Sequence, residues 1–247
     1  LNNFKEAEIK YHIELDTGMH RLGIMPEDYQ EVVNLAQESI HHLEGVMSHL
    51  SSADDPSKDN FTLGQIAKFK DFTYSLENDL NVKVLKHICN SQGTKRFPQA
   101  HFDMVRLGIG VFGLDKPETN ALILETEIAQ VKGLQAGEGV GYGNLEPKNK
   151  YRKIAILPIG YADGFDRGLG NGNWSIEIQG EMCPTVGNIC MDMCMVDVSK
   201  IDAKEKQSAV LFGAKNSVNK MAKVLGTIPY EIISRLSPRI KRVYVKE

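Results

Sequence analysis

The feature that most constrains this chain is a change of period partway along it. Up to about Pro117, short apolar runs alternate with stretches of helical periodicity, the pattern of βα units. Beyond it, short β-type runs follow one another with frequent Gly, and little helical period returns until near Asn219. Parallel strands need long crossovers, usually helical, whereas antiparallel strands are joined by short turns. The two halves therefore predict two architectures, α/β over residues 1–117 and all or mostly β over residues 118–247.

In the first half the strand-like runs are YHIEL near Tyr11, LEGVMSHL ending at Leu50, VKVLKHIC ending at Cys89 and FDMVRLGIGVFGL ending at Leu114. A helix is expected after Met25, with Pro26 at its first position and Val32, Val33, Ala36 and Ile40 towards one side. A second is expected to start with Thr62 and Gln65 in capping-box spacing, with Leu63, Ile66, Phe69 and Leu76 as its apolar stripe. Strands with helices between them read as part of a parallel sheet or barrel. In the second half, LILETEIAQV, KIAILPIGYA, WSIEIQG and MDMCMVDVS are separated by turn signals such as GEGVGYGN and GLGNGN.

Composition excludes several classes. With 247 residues, 42% of them hydrophobic, a core can form without disulfides or a structural metal. Basic and acidic residues nearly balance, 29 against 32, and are scattered, so no nucleic-acid partner is indicated. No run of about eighteen apolar residues signals a membrane span, and LNNFKEAEIKYHIEL lacks a secretory pattern, so a cytoplasmic protein is expected. Cys89, Cys183, Cys190 and Cys194 do not form CxxC pairs and read as reduced, buried thiols. The chain opens at Leu1, with no initiator Met, directly before a strand-like pattern, and so reads as a piece of something longer.

Several residues stand where chemistry is usually placed. DTGMHRLG, Asp16 to Gly23, lies between a strand and a helix, where barrel enzymes carry ligand-binding loops; the alternative is a polar turn with Arg21 solvated. Gly108, Gly110 and Gly113 spell GxGxxG, but GLDKPETN follows and signals no helix, so a dinucleotide-binding oxidoreductase rests on the letters alone. What remains is a strand end whose small residues let backbone N–H groups approach a phosphate, or simply a Gly-rich exit. Arg106 inside MVRLGIGVF needs a partner, either a buried salt bridge or a ligand. His49 and Ser91 end strand-like runs, and the strand ends of a barrel converge on one site. Tyr142 sits between glycines and reads as projecting from a loop, while Tyr161, Met191 and Asp192 lie beside glycines or strand ends. Cys190, Asp192 and Cys194 share one strand face by alternation, but with no His nearby no metal site is expected. Composition and spacing reach a soluble α/β plus β protein with a phosphate-type ligand.

Taken together, LDTGMHRLGI, MSHLSSAD, CNSQG, FDMVRLGIGVFGL, GEGVGYG, LPIGYADGF, VGNICMDMCMVDVS and PYEIISRLSPRIKRVY, in this order, resemble the bacterial alanine racemases, which use pyridoxal phosphate (PLP). The resemblance implies a PLP-binding TIM-type (β/α) barrel, here partial, followed by a β domain, and a head-to-tail homodimer with active sites shared between subunits. It also implies interconversion of L- and D-alanine for peptidoglycan synthesis.

Carried over by motif, Arg106 would face the pyridine nitrogen of PLP. A guanidinium offers only donors, so the ring nitrogen would accept a hydrogen bond and stay unprotonated, a weaker electron sink that suits an enzyme moving only a proton. His49 would lie against the cofactor ring. Ser91, Gly108, Ile109 and the Tyr230 hydroxyl would bind the phosphate. Arg21 would hold the substrate carboxylate and the cofactor's phenolic oxygen. Tyr142 from the partner subunit would be the base on one face of the substrate. Because a free tyrosine titrates near 10, it would rely on the positive field of His49 and Arg106. Tyr161, Met191 and Asp192 would line the entrance and carboxylate end of the partner's site, with Arg167 further out.

Two departures from the family pattern carry expectations. Many members have a carbamylated lysine two residues before the Asp of DTGM; here Glu14 stands there and is expected to present its carboxylate to Arg21 directly. The family's covalent anchor for PLP is a lysine in a segment of the type VKANAYGHG, which these 247 residues do not contain; Lys86 and Lys95 lie in segments that match elsewhere. The chain by itself is therefore expected to be inactive, a C-terminal portion of a racemase, in some bacteria one fused to a cell-wall ligase. The competing reading is a non-catalytic dimerising or PLP-sensing relative. Missing βα units would leave parallel strand edges open, so dimers or larger species are expected.

Overall fold

The computed structural model describes residues 9–114, 121–135, 137–144 and 153–245. They form two compact units, Leu1–Val111 and Phe112–Glu247. The boundary expected at Pro117 falls outside the described residues.

The first unit holds a parallel sheet of three strands in the order β1 (Tyr11–Glu14), β2 (Leu43–Met47), β3 (Leu85–His87). Helix α1 (Tyr29–Glu38) follows β1 after a 3-10 turn, Pro26–Asp28, whose first position is Pro26, where a missing N–H costs nothing. Helix α2 (Asp59–Leu80) follows β2 and ends at Asn81 in the left-handed region, φ 49°. Val32, Val33 and Ala36 of α1 and Ile66, Phe69, Phe72 and Leu76 of α2 form one core with Ile13, Leu15 and Val46 of the sheet region.

Two expectations for this unit are corrected. Helix α2 begins before Thr62, because Asp55 caps the Pro56–Lys58 turn through the Ser57 amide and the helix continues from Asp59. Thr62 and Gln65 are buried inside it and form no capping box, and Leu63 is exposed. The run FDMVRLGIGVFGL is not a strand. It runs beside β3 with two backbone bonds, Asp103 N–H to Lys86 O (3.1 Å) and Arg106 N–H to Cys89 O (3.0 Å). The Lys86 amide is taken instead by the Asp103 carboxylate (2.9 Å), which interrupts the ladder, and Ile109–Phe112 then turns as a 3-10 helix.

The second unit is an antiparallel sheet of seven strands. Its strands are β4 (Leu124–Glu127), β5 (Gln130–Gly133), β6 (Lys153–Leu157), β7 (Ser175–Ile178), β8 (Glu181–Val186), β9 (Cys194–Asp197) and β10 (Ser208–Phe212). Their order is β4-β10-β7-β8-β9-β6-β5. Helix α3 (Ser91–Arg96) belongs to the first unit; α4 (Val218–Leu225), capped by Ser217 and ended by Gly226, and α5 (Pro229–Ser234) belong to the second. Strand β9 starts only at Cys194, so Cys190 and Asp192 lie in the preceding loop and share no strand face with it. Burial pushes the thiols of Cys89 and Cys183 up to about 11, the chemistry of inert core cysteines. Among the described residues no helix is long and apolar enough to cross a membrane.

Candidate active site

In the first unit the expected residues gather where the chain leaves β1, β2 and β3. After β1 the buried Asp16 shapes the DTGM turn, its carboxylate accepting from the amides of Gly18 (2.8 Å) and His20 (3.1 Å). Burial alone would raise its pKa, but those amides and the His20 ring hold it below the ordinary carboxylate range. Arg21 stands exposed on this turn. Among the described residues no ion pair joins it to Glu14, whose negative charge acts instead on His49 and Arg106.

Arg106 is the organising group. Its Nη2 donates to the carbonyl of Ser48 (2.7 Å), and its Nη1 to the carbonyl of His87 (3.1 Å) and to His87 Nδ1 (2.5 Å). His49 Nδ1 lies 3.5 Å from Nη2. No carboxylate lies within ion-pair distance among the described residues, so the buried salt bridge weighed for this arginine is absent and it is held by carbonyls and imidazoles. Because a guanidinium has no acceptor, His87 Nδ1 must be bare and its proton sits on Nε2, 2.8 Å from His12 Nδ1. Burial first, then Arg106 and His12, push His87 down to about 4, so it stays neutral. His49, half-buried, is likewise lowered by burial, Arg106 and Arg21, with Glu14 opposing; its Nε2 lies 3.4 Å from the Asn90 amide nitrogen.

Ser91 opens α3 behind Asn90, whose side chain caps the Gly93 amide (2.9 Å). The Ser91 hydroxyl accepts from the amides of Gly108 (2.9 Å) and Gly110 (3.1 Å), and Ile109 lies between them. A Cβ built at Gly108 would meet only Ser91 Oγ, at 3.9 Å, whereas one at Gly110 would press on Ser91 at 3.2 Å, so the Ser91 hydroxyl itself occupies the space before these amides.

The other expected residues lie in the second unit. Tyr142 is 73% exposed on a turn whose flanking Gly141 and Gly143 have φ +69° and +86°, and its carbonyl accepts from Asn188 (3.0 Å). Tyr161 and Met191 are brought together by backbone bonds, Tyr161 N–H to Cys190 O (3.1 Å) and Ala162 N–H to Met191 O (3.0 Å). Gly160 permits this, since a Cβ there would press on the carbonyl oxygens of Cys190 and Met191. Arg239 locks the pair. It bonds both oxygens of the buried Asp163 (2.5 and 2.9 Å) and reaches Asp192 (2.8 Å), while Asp163 also receives the Gly160 amide (3.0 Å). Tyr230 lies half-exposed in the first turn of α5. Sequence reasoning passed over Arg239, Asp163, His87 and His12, and read Gln65 only as part of a cap. The one signal available was that PYEIISRLSPRIKRVY carries four basic residues in a tail rich in apolar ones.

Residues 1–116 match the family model "Alanine racemase, N-terminal domain", and residues 121–244 match "Alanine racemase, C-terminal domain". Alanine racemase 1 of Clostridium acetobutylicum is 35% identical over 259 residues, covering 98% of this chain.

The chain belongs to the alanine racemase family.

It spans 66% of the length of that Clostridium racemase. Among solved alanine racemases, that of Bacillus anthracis with bound L-Ala-P has a TM-score of 0.84 at 30% identity, covering 96% of this chain and 64% of the other. That of Bartonella henselae with covalently bound pyridoxal phosphate has 0.78 at 28%, covering 96% and 67%. The racemase likeness thus runs through both units.

Proposed function

We propose that the whole protein racemises alanine with PLP, the first unit being part of a TIM-type barrel and the second the family's β domain, with a boundary near residue 117. The observation that carries this reading is Arg106, a half-buried guanidinium with no carboxylate partner among the described residues, followed closely by Gly108 and Gly110, whose amides converge on the Ser91 hydroxyl. The donors present fit PLP: the Ser91 hydroxyl and the amides gathered on it for its phosphate, and a fixed cation for its ring nitrogen. When bound, PLP delocalises the electron pair left on the substrate carbon as the proton departs.

In this reading Arg106 keeps the ring nitrogen unprotonated, because it can only donate. Ser91, Gly108, Ile109 and Tyr230 hold the phosphate. Arg21 binds the substrate carboxylate, with Glu14 supplying negative charge nearby. His49, kept neutral, lies against the ring. Tyr142 of a partner subunit takes or returns the proton at the α-carbon, and Tyr161, Met191 and Asp192 of that subunit line the approach. Homodimers with shared sites, a cytoplasmic location and a role in cell-wall D-alanine supply belong to the same proposal. In the same reading no lysine of these 247 residues is the covalent anchor, and the chain alone is assigned no turnover.

The test is D-alanine formation from L-alanine, with PLP, by the full gene product and by its Tyr142→Phe variant. We expect turnover that the variant loses by about 100-fold or more. A full product that binds PLP without turnover would favour the non-catalytic, PLP-sensing reading instead.

A further inference from the structure

We propose that Gln65, on α2, is a positioning residue that ties the loop carrying Arg21 to the loop carrying His49; its catalytic meaning rests on the racemase reading. Gln65 is buried, and every bond of its side chain goes to one of these two loops. Its Nε2 donates to Thr17 Oγ1 (3.2 Å) and to the His49 carbonyl (3.0 Å), and its Oε1 accepts from the Ser51 amide (3.1 Å) and hydroxyl (3.4 Å).

The direction of each bond follows from the partners. A backbone amide only donates and a carbonyl only accepts, so Ser51 N–H and His49 O fix which end of the Gln65 amide is which. The Ser48 hydroxyl spends its one proton on the Leu15 carbonyl (2.7 Å). It must therefore accept from Thr17 Oγ1 at 2.9 Å, and Thr17 in turn accepts from Gln65. One proton-ordered chain thus runs from Gln65 through Thr17 and Ser48 to Leu15 O, and a second bond holds the backbone of His49 itself. Both amide hydrogens and the carbonyl oxygen are used, so no other orientation of Gln65 satisfies the site. The loops so joined follow β1 and β2 and bear Arg21 and His49, and helix α2 is the rigid body they are tied to.

The test is made on the full gene product. Gln65→Met keeps the length and removes all four bonds. Around His49 the charged groups are Arg106, Arg21 and Glu14, with Asn90 as its polar neighbour. If Gln65 holds that arrangement, NMR titration of Gln65→Met shifts the His49 midpoint up towards 6.5, and PLP affinity falls about tenfold. A role in stability alone would lower the melting temperature and leave the His49 midpoint of the folded protein where it was; that result overturns the proposal.

Gln65→Glu covers the case in which Gln65→Met does not fold. As a neutral acid it can still donate to His49 O and accept from Ser51; ionised, it faces that carbonyl with a charge, and burial raises its pKa. Its PLP dissociation constant relative to the unsubstituted chain should be near one at about pH 5.5 and rise about tenfold by about pH 8.5. A flat ratio overturns the proposal. If the unsubstituted full gene product takes up no PLP, the cofactor reading falls. Gln65 is then decided by the same ratio measured on amide exchange of Ser51 and Gly18.

Discussion

Replacing His87 by Gln separates the two roles this imidazole plays. Gln can present a carbonyl oxygen to Arg106 Nη1 and an N–H to His12 Nδ1, so the two bonds of 2.5 and 2.8 Å keep their donors and acceptors. At pH 7 the variant should lose only about 1 kcal/mol, the scale of one imperfect hydrogen bond. What Gln lacks is a titration. His87 falls to about 4 in the folded chain against 6.5 for a free imidazole, so between those values the unfolded state binds the extra proton. Stability must therefore fall as pH drops from about 6.5 and stop falling on this account below about 4. The gap of about 2.5 pH units corresponds to about 3 kcal/mol at 1.36 kcal/mol per unit. The two stability curves should cross. The original chain is the more stable near pH 7, and His87→Gln the more stable near pH 4. Because a chain of two units can unfold in two steps, the free energy is best read from hydrogen exchange of the amides in β2, the central strand of its sheet. His49 and the carboxylates are common to both proteins and cancel in the difference. Parallel curves across this range would refute a neutral, arginine-facing His87.

The loop pair bearing Tyr161 and Met191 gives two further expectations. Arg239, then the Gly160 amide, hold Asp163 below the ordinary carboxylate range despite its burial, so its contribution is present at neutral pH and is lost as pH falls through its lowered pKa. Asp163→Asn should free the Tyr161 and Ala162 amides to exchange faster at pH 7, as acidification through the lowered Asp163 pKa does in the original chain; unchanged protection would show that Arg239 holds nothing there. Gly160→Ala forces a methyl group against the Cys190 and Met191 carbonyls and should cost about 1–3 kcal/mol in the second unit by denaturant unfolding, with the first unit's exchange unaltered.

How far the sequence could be read depended on the distance over which each signal acts. β1 and β2 were legible because a short apolar run between polar stretches is a local signal of a buried strand, and Pro26 marked the start after β1 for the same local reason. FDMVRLGIGVFGL has the apolar letters of a strand, and what prevents a ladder is a carboxylate inside it capturing the Lys86 amide of β3, 17 positions earlier. Thr62 and Gln65 have capping-box spacing, but the same glutamine fits a tertiary role, and Asp55 had already claimed the cap. Alternation across Cys190, Asp192 and Cys194 failed because the chain is still in a loop until β9 begins.

The site divides along the same line. The residues proposed to touch ligand, such as Arg21, His49, Arg106 and Gly108, lie in short motifs that are visible as letters. The groups that hold them do not. Gln65 meets Thr17 across 48 positions, Arg106 meets Ser48 across 58, and Arg239 meets Asp163 across 76. No periodicity or motif window spans such separations; they exist only once the sheets have set their order. A buried polar residue that looks like a local cap or a stray charge is thus where the sequence reading was weakest and where the fold supplies the most new chemistry. Gln65 is the clearest case, since its misreading as a cap and its assignment as a tie between loops rest on the same side-chain amide.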